Sequence, residues 1–308
     1  MASARTDRSG DLLPRGGSAH PLLGADLRTV IALLRRHGVR PGDRLGVIAG
    51  ALASSAARAP ISLCERAIAS RAIARLDPEP PIFILGHWRS GTTHLYNILS
   101  RSDDFAFVSP VATGLPWDAL LLGRALRPVL ERALPRERFI DPLPVNPDSP
   151  QEDEAALANM QTVSFYHGLY FPRRLRQEVE RGVFFDGLEQ RDKRLWERRF
   201  RHFLGKLSLL SPGRRPVIKN PVYTARLGMI QRMFPRAQYI HIHRNPYSVF
   251  FSMRRFYTKL LEAYALQPYS LDEIDELVLS VYERMMDRML EDVRRLPDGA
   301  LVEISYDE

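Results

Sequence analysis

Cysteine is nearly absent: Cys64 is the only one in 308 residues. A single thiol forms no intrachain disulfide, so the fold must rest on its core, and a cytoplasmic, reducing setting is compatible. Long apolar runs are missing as well. The best candidate, Leu45 to Ala57, falls short of the ~20 residues needed to span a bilayer and is diluted by Ala, Gly and Ser. The first stretch, Met1 to Ser18, has no apolar h-region, so residues 1–20 read as a disordered leader and not as a secretory signal. No internal repeat is present. No grouping of His, Cys and carboxylates has metal-ligand spacing, and His241-x-His243 alone is a weak zinc signal, so no metal is expected.

What remains is ordinary globular composition, with 45% hydrophobic and 26% charged residues, which excludes wholesale disorder. The net charge of +8 suits an anionic partner: a nucleotide, a nucleic acid or an acidic membrane face.

Residues 21–80 read as a helical N-terminal extension. Asp26 caps a first helix that stops at Gly38, and Ala51 to Leu76 reads as a second, interrupted by Pro60. Both pack on the core or lie on a membrane surface. Pro81 to His87 is a short buried strand, with a helix following from about Thr92 to Ser100. The proline-rich segment 103–148 reads as an insertion more than core. A helix opens at DSPQEDEAALANM, and Arg173 to Leu210 is charged and helical, with its RLWERRFRHF run a solvated face. From PVIKNP onward strands and helices alternate, ending on ALVEISY. That rhythm predicts an α/β domain over 81–308: a P-loop-like parallel sheet flanked by helices.

The strongest chemical signal is GHWRSGTTH, directly after the first strand. Gly86 and Gly91 have the spacing of a phosphate-binding loop and Thr93 stands at its Ser/Thr position, but Thr92 replaces the lysine. Such a loop does not clamp a triphosphate in the usual way. It leaves backbone amides at a helix N-terminus, two hydroxyls and Arg89, a site for one terminal anionic group.

The strand with Arg89-Ser90-Gly91-Thr92-Thr93 resembles the 5′-phosphosulfate loop of sulfotransferases that use 3′-phosphoadenosine 5′-phosphosulfate (PAPS). It is closest to the bacterial and Golgi-type branch, which often carries Arg where cytosolic members carry Lys. YIHIHRNPYSVFFSM resembles the family's second element, with Ser252 eight positions after Arg244. The resemblance implies that this pair grips the cofactor's 3′-phosphate, as a guanidinium fork and a hydroxyl near a helix start are fitted to do. PVIKNP resembles the connecting strand end, which offers Lys219. Cytosolic members have a catalytic histidine where this chain has Pro221.

The base is therefore sought in DSPQEDE, which resembles a segment of bacterial members. Ser149, Pro150 and Glu152 fit a capping box, with Glu152 at its third helical position. Glu154 has no such structural job and leads as general base, with Glu152 next. Arg89 and Lys219 would hold charge on the transferring group, with Lys219 the proton donor to the leaving phosphate.

The resemblance thus implies sulfuryl transfer from PAPS to a hydroxyl or amine of a small-molecule, lipid or carbohydrate acceptor. No metal and no nucleic acid is implied, and peripheral membrane contact is compatible. Family members usually continue past VEISYDE, so the resemblance implies that the C-terminal part is missing. Two other readings stand beside it: a P-loop-type nucleotide kinase, and a non-catalytic nucleotide- or lipid-binding relative.

Overall fold

The computed structural model describes residues 12–14, 17, 20–123, 125, 128 and 149–307. Most of the leader and half of the proline-rich segment 103–148 lie outside these residues. Within the leader, however, Leu12 forms a bridge with Tyr269, and His20 is buried with its Nε2 2.9 Å from the Tyr264 carbonyl.

The extension is two helices. In α1 (Leu27–His37) Asp26 accepts from the Thr29 amide at 2.9 Å, and Gly38, at φ 69°, ends the helix. Helix α2 (Leu45–Ile73) runs straight through Pro60, contrary to the expected interruption. Pro60 and Ala56, whose carbonyl loses its partner, both face outward, so the missing hydrogen bond is not left in a buried environment. At 29 residues α2 is also long and apolar enough by composition to cross a membrane, which the shorter sequence window did not show.

Next come β1 (Ile82–Leu85), α3 (Thr92–Leu99), β2 (Phe105–Ala106), α4 (Pro110–Gly114), α5 (Asp153–Met160) and α6 (Tyr166–Tyr170). Then follow α7 (Leu175–Phe184), α8 (Gln190–Leu210), β3 (Arg215–Lys219), α9 (Leu227–Met233), β4 (Gln238–His243), α10 (Pro246–Tyr264), α11 (Ile274–Val293) and β5 (Leu301–Ser305). The five strands form one parallel sheet in the order β2-β3-β1-β4-β5. The expected parallel sheet flanked by helices is therefore present. The proline-rich region is more than an insertion: Phe105 and Ala106 pair with Arg215 and Pro216 at the sheet edge, and Trp117 is buried. A two-residue strand leaves no periodicity to read.

Central β1 is buried on both sides, which is why its sequence is uninterruptedly apolar. Phe83 and Leu85 face a layer with Trp196, Phe200 and Tyr223, while Ile82 and Ile84 face Tyr96 and Val217. The RLWERRFRHF run is accordingly amphipathic: its aromatics enter the core and its arginines stay toward the surface. Register aligns the strand ends: Ile84 lies opposite both Lys219 and Ile240. The chain goes from β1 out to β2, back through β3, then over β1 to β4. The carboxyl ends of β3, β1 and β4 thus meet at the switch point, where open α/β sheets bind ligands.

Candidate active site

The loop leaving β1 is built to expose amides. Gly86 has φ 137°, and a Cβ there would collide with the Ile242 carbonyl on the next strand. Its amide donates to Thr224 Oγ1 at 2.9 Å, which fixes the loop to the segment after β3. Ser90 closes the turn by donating its hydroxyl to the His87 carbonyl at 2.8 Å. Gly91, at φ 101°, is the N-cap of α3, and a Cβ there would strike the Tyr306 ring.

Arg89 is a non-glycine at φ 69°, a conformation of modest cost that points its side chain across to α10. There its Nε donates to Ser252 Oγ at 2.8 Å. Thus Ser252 is brought to the loop after β1 itself, joined to it by Arg89. Arg244, at the end of β4, places its guanidinium 4.7 Å from the Tyr306 ring centroid and 3.5 Å from Asp307. Arg89, Gly91, Thr92, Thr93, Arg244 and Tyr306 all border one cleft. Ser90 is buried beneath it.

Glu152 borders the same cleft. The expected capping box does not form: α5 starts at Asp153, Glu152 is its N-cap without a side-chain capping bond, and Ser149 and Pro150 precede the helix. The reason is local competition. The Gln151 amide pairs with the Val108 carbonyl at 2.8 Å, holding the approach extended, and the Glu152 carboxylate is taken by Lys219. Lys219 is 1% exposed; its Nζ lies 2.5 Å from Glu152 Oε1 and 3.2 Å from Thr93 Oγ1. The strand-end lysine therefore ties the glycine-bounded loop after β1 to the carboxylate.

Glu154 points the other way. It is fully buried, accepts from Asn220 Nδ2 at 2.9 Å, and does not border the cleft. Burial raises its pKa, with Arg226 opposing. Its neighbour Asp153, also buried, is pushed up to about 8 by desolvation, with the Tyr223 hydroxyl bonded to it and opposing the rise. A carboxyl raised from the usual range binds its proton more tightly folded than unfolded. Its stabilising effect is full at acid pH and is lost as pH climbs toward about 8. Asp153→Asn is expected to remove that slope: relative to the variant, the parent loses stability steadily as pH rises through this window in urea unfolding. Parallel profiles would show that Asp153 is ionised in the fold.

His241 and His243 lie beside β5, not on the cleft wall; His241 Nδ1 is 2.8 Å from Glu303, and burial lowers its pKa. Among the described residues no group of three or more His, Cys, Asp or Glu is placed to hold a metal. Sequence reasoning missed Trp88, Tyr166, Phe256 and Tyr306, which supply the cleft's aromatic surface. For Tyr306 a signal existed, an aromatic just past the carboxyl end of a strand. The others come from scattered helices and a loop and leave none.

Residues 80–308, most of the chain, match the sulfotransferase family. Two curated relatives, both named omega-hydroxy-beta-dihydromenaquinone-9 sulfotransferase Stf3, come from Mycobacterium bovis and Mycobacterium tuberculosis. Each is 28% identical over 250 residues, covering 80% of this chain. The chain spans 63% of the length of these curated relatives. The fold is similar to that of sulfotransferase STF9 from Mycobacterium avium, at TM-score 0.64 and 16% identity over 92% of this chain and 79% of that one. It is also similar to STF1 from Mycobacterium tuberculosis, at TM-score 0.58 and 15% identity over 94% and 80% of the two chains. The family match covers the whole sheet and every strand-end residue described above, so this chain belongs to the sulfotransferase family.

Proposed function

We propose that this chain transfers a sulfuryl group from PAPS to the hydroxyl of an apolar acceptor. The observation that carries the reading is the Lys219 contact with both Glu152 and Thr93 at the floor of the cleft. The residues fit the donor. Loop amides at the start of α3, with Arg89, Thr92 and Thr93, suit its 5′ end, and Arg244 suits the 3′-phosphate, with Ser252 fixing Arg89. When bound, PAPS supplies an activated sulfuryl group, whose bond to the phosphate oxygen breaks as its bond to the acceptor oxygen forms.

Glu152 accepts the proton that the acceptor hydroxyl gives up. Its place in the cleft ranks it ahead of the buried Glu154. Lys219 neutralises the charge left on the phosphate side and is the proton donor there, with Arg89 and the loop amides sharing the load. Trp88, Tyr166 and Phe256 line the same cleft beside Glu152, which favours an apolar alcohol. The curated relatives are named for a hydroxylated menaquinone, and a lipid-like acceptor is proposed here by that similarity. The sole cysteine, exposed Cys64, suits work in the cytoplasm.

The test of the donor site is calorimetry. 3′-Phosphoadenosine 5′-phosphate should bind more tightly than 5′-AMP, and Arg244→Ala should erase most of the difference, worth about 1.5–3 kcal/mol for charge-assisted hydrogen bonds. Equal affinity for the two nucleotides in the parent would remove Arg244 from the 3′-phosphate. Acceptor transfer is then followed with labelled PAPS and a panel of apolar alcohols.

A further inference from the structure

Helix α2 is amphipathic in reverse. Its buried seam recurs at alternating spacings of three and four residues: Ile48, Ala51, Ser55, Arg58, Ser62, Glu65 and Ala69. This inward face carries the charges. Arg58 and Ser62 bond Asp118, and Glu65 bonds Lys206 and the amides of Leu120 and Leu121. The outward face, by contrast, has no charged residue among its exposed positions from Leu45 to Ser70. It presents Leu45, Ile61, Leu63 and Ile68, at 52%, 37%, 64% and 51% exposure, and otherwise only Ala, Gly, Ser, Pro and Cys64. A helix docked on a soluble domain and facing water would show the opposite arrangement.

The margins of this face are rich in arginine, with Asp26 in the groove beside α1 and exposed Asp77 and Glu79 beyond the helix end. Arg28 and Arg35 of α1 share a groove with Leu63, and exposed Arg40, Arg71 and Arg75 flank the two ends. We propose that the outer face of α2 lies flat on a lipid bilayer, with its apolar residues at the acyl boundary and the arginines on anionic headgroups. Spanning is disfavoured, because it would strip Arg58 and Glu65 of their partners and put them in hydrocarbon. A second copy is a poorer occupant. Laid antiparallel, it would bring Arg71 and Arg75 toward Arg40; laid parallel, it would set each arginine against its own copy. This inference does not depend on the reaction proposed above.

The test uses the full chain and vesicles. The parent should co-sediment with mixed phosphatidylglycerol and phosphatidylcholine vesicles, and less with phosphatidylcholine alone or at high salt. Leu63→Asp with Ile68→Asp should weaken binding on the order of tenfold or more. Leu279→Asp, an equally exposed leucine on α11, should not. To separate lost binding from misfolding of the double variant, an environment-sensitive dye on exposed Cys64 provides a second readout in the unaltered helix. Its emission should shift to the blue on anionic vesicles. Failure of the parent to sediment, unchanged binding by the double variant, or an unshifted dye would each overturn the proposal. So would a dimer in analytical ultracentrifugation that the double variant dissolves, since a second copy would then hold this face.

Discussion

Glutamine in place of Glu152 is expected to lower turnover by about 10²- to 10⁴-fold, the range for losing a general base. Glutamine keeps the size and an oxygen that can accept from Lys219, so the fold and nucleotide affinity should persist. What it cannot do is take the acceptor's proton. Glu154→Gln is the contrast: the amide oxygen still accepts from Asn220, the side chain does not border the cleft, and turnover should be unchanged. The measurement is single-turnover transfer with labelled PAPS, together with the pH–rate profile. Losing the acidic limb in Glu154→Gln but not in Glu152→Gln would reverse the proposed roles.

Lys219→Met should cost on the order of 10²- to 10³-fold in kcat, as for one lost donor to developing charge. Methionine fills the volume of the lysine stem, so the buried strand end stays packed. Its loss leaves Glu152 in the cleft without that cation, and Thr93 without that partner. If Lys219 acts chiefly on the transition state, kcat falls more than affinity for 3′-phosphoadenosine 5′-phosphate. The double variant with Glu152→Gln should be less impaired than the product of the single effects, because the two side chains act as one unit. Affinity falling in step with kcat would make Lys219 a binding residue only.

Much of this molecule could be read from the chain. Strand β1 is a bounded apolar run, and the loop after it carries glycines at positions that require positive φ. Those features need only local physics: a strand buried on both faces has no polar position, and a tight turn admits no Cβ. The strand-end residues Lys219 and Arg244 could be found for the same reason, since a parallel sheet sends its carboxyl ends to one edge.

The glutamates show where local reasoning stops. DSPQEDE satisfies a capping box by composition, and a helix begun at Pro150 would give Glu152 a structural task. The helix instead starts at Asp153, because Val108 and Lys219, both far away in sequence, claim Gln151 and Glu152. A shift of that size turns Glu152 into the cleft and Glu154 into the core. Helix α2 shows the same limit. Its period is visible in the sequence, but a period does not say which face is inward.

The sequence by itself determined the α/β class, the glycine-bounded loop after β1 and the set of cationic strand ends, because each follows from patterns spanning a few residues. Only the tertiary structure decided that Glu152 faces the cleft, that Arg89 is held by Ser252, and that α2 buries its charges. Each of those outcomes is a choice between partners separated by tens of residues or more, so its energy depends on contacts that exist only once the chain has folded.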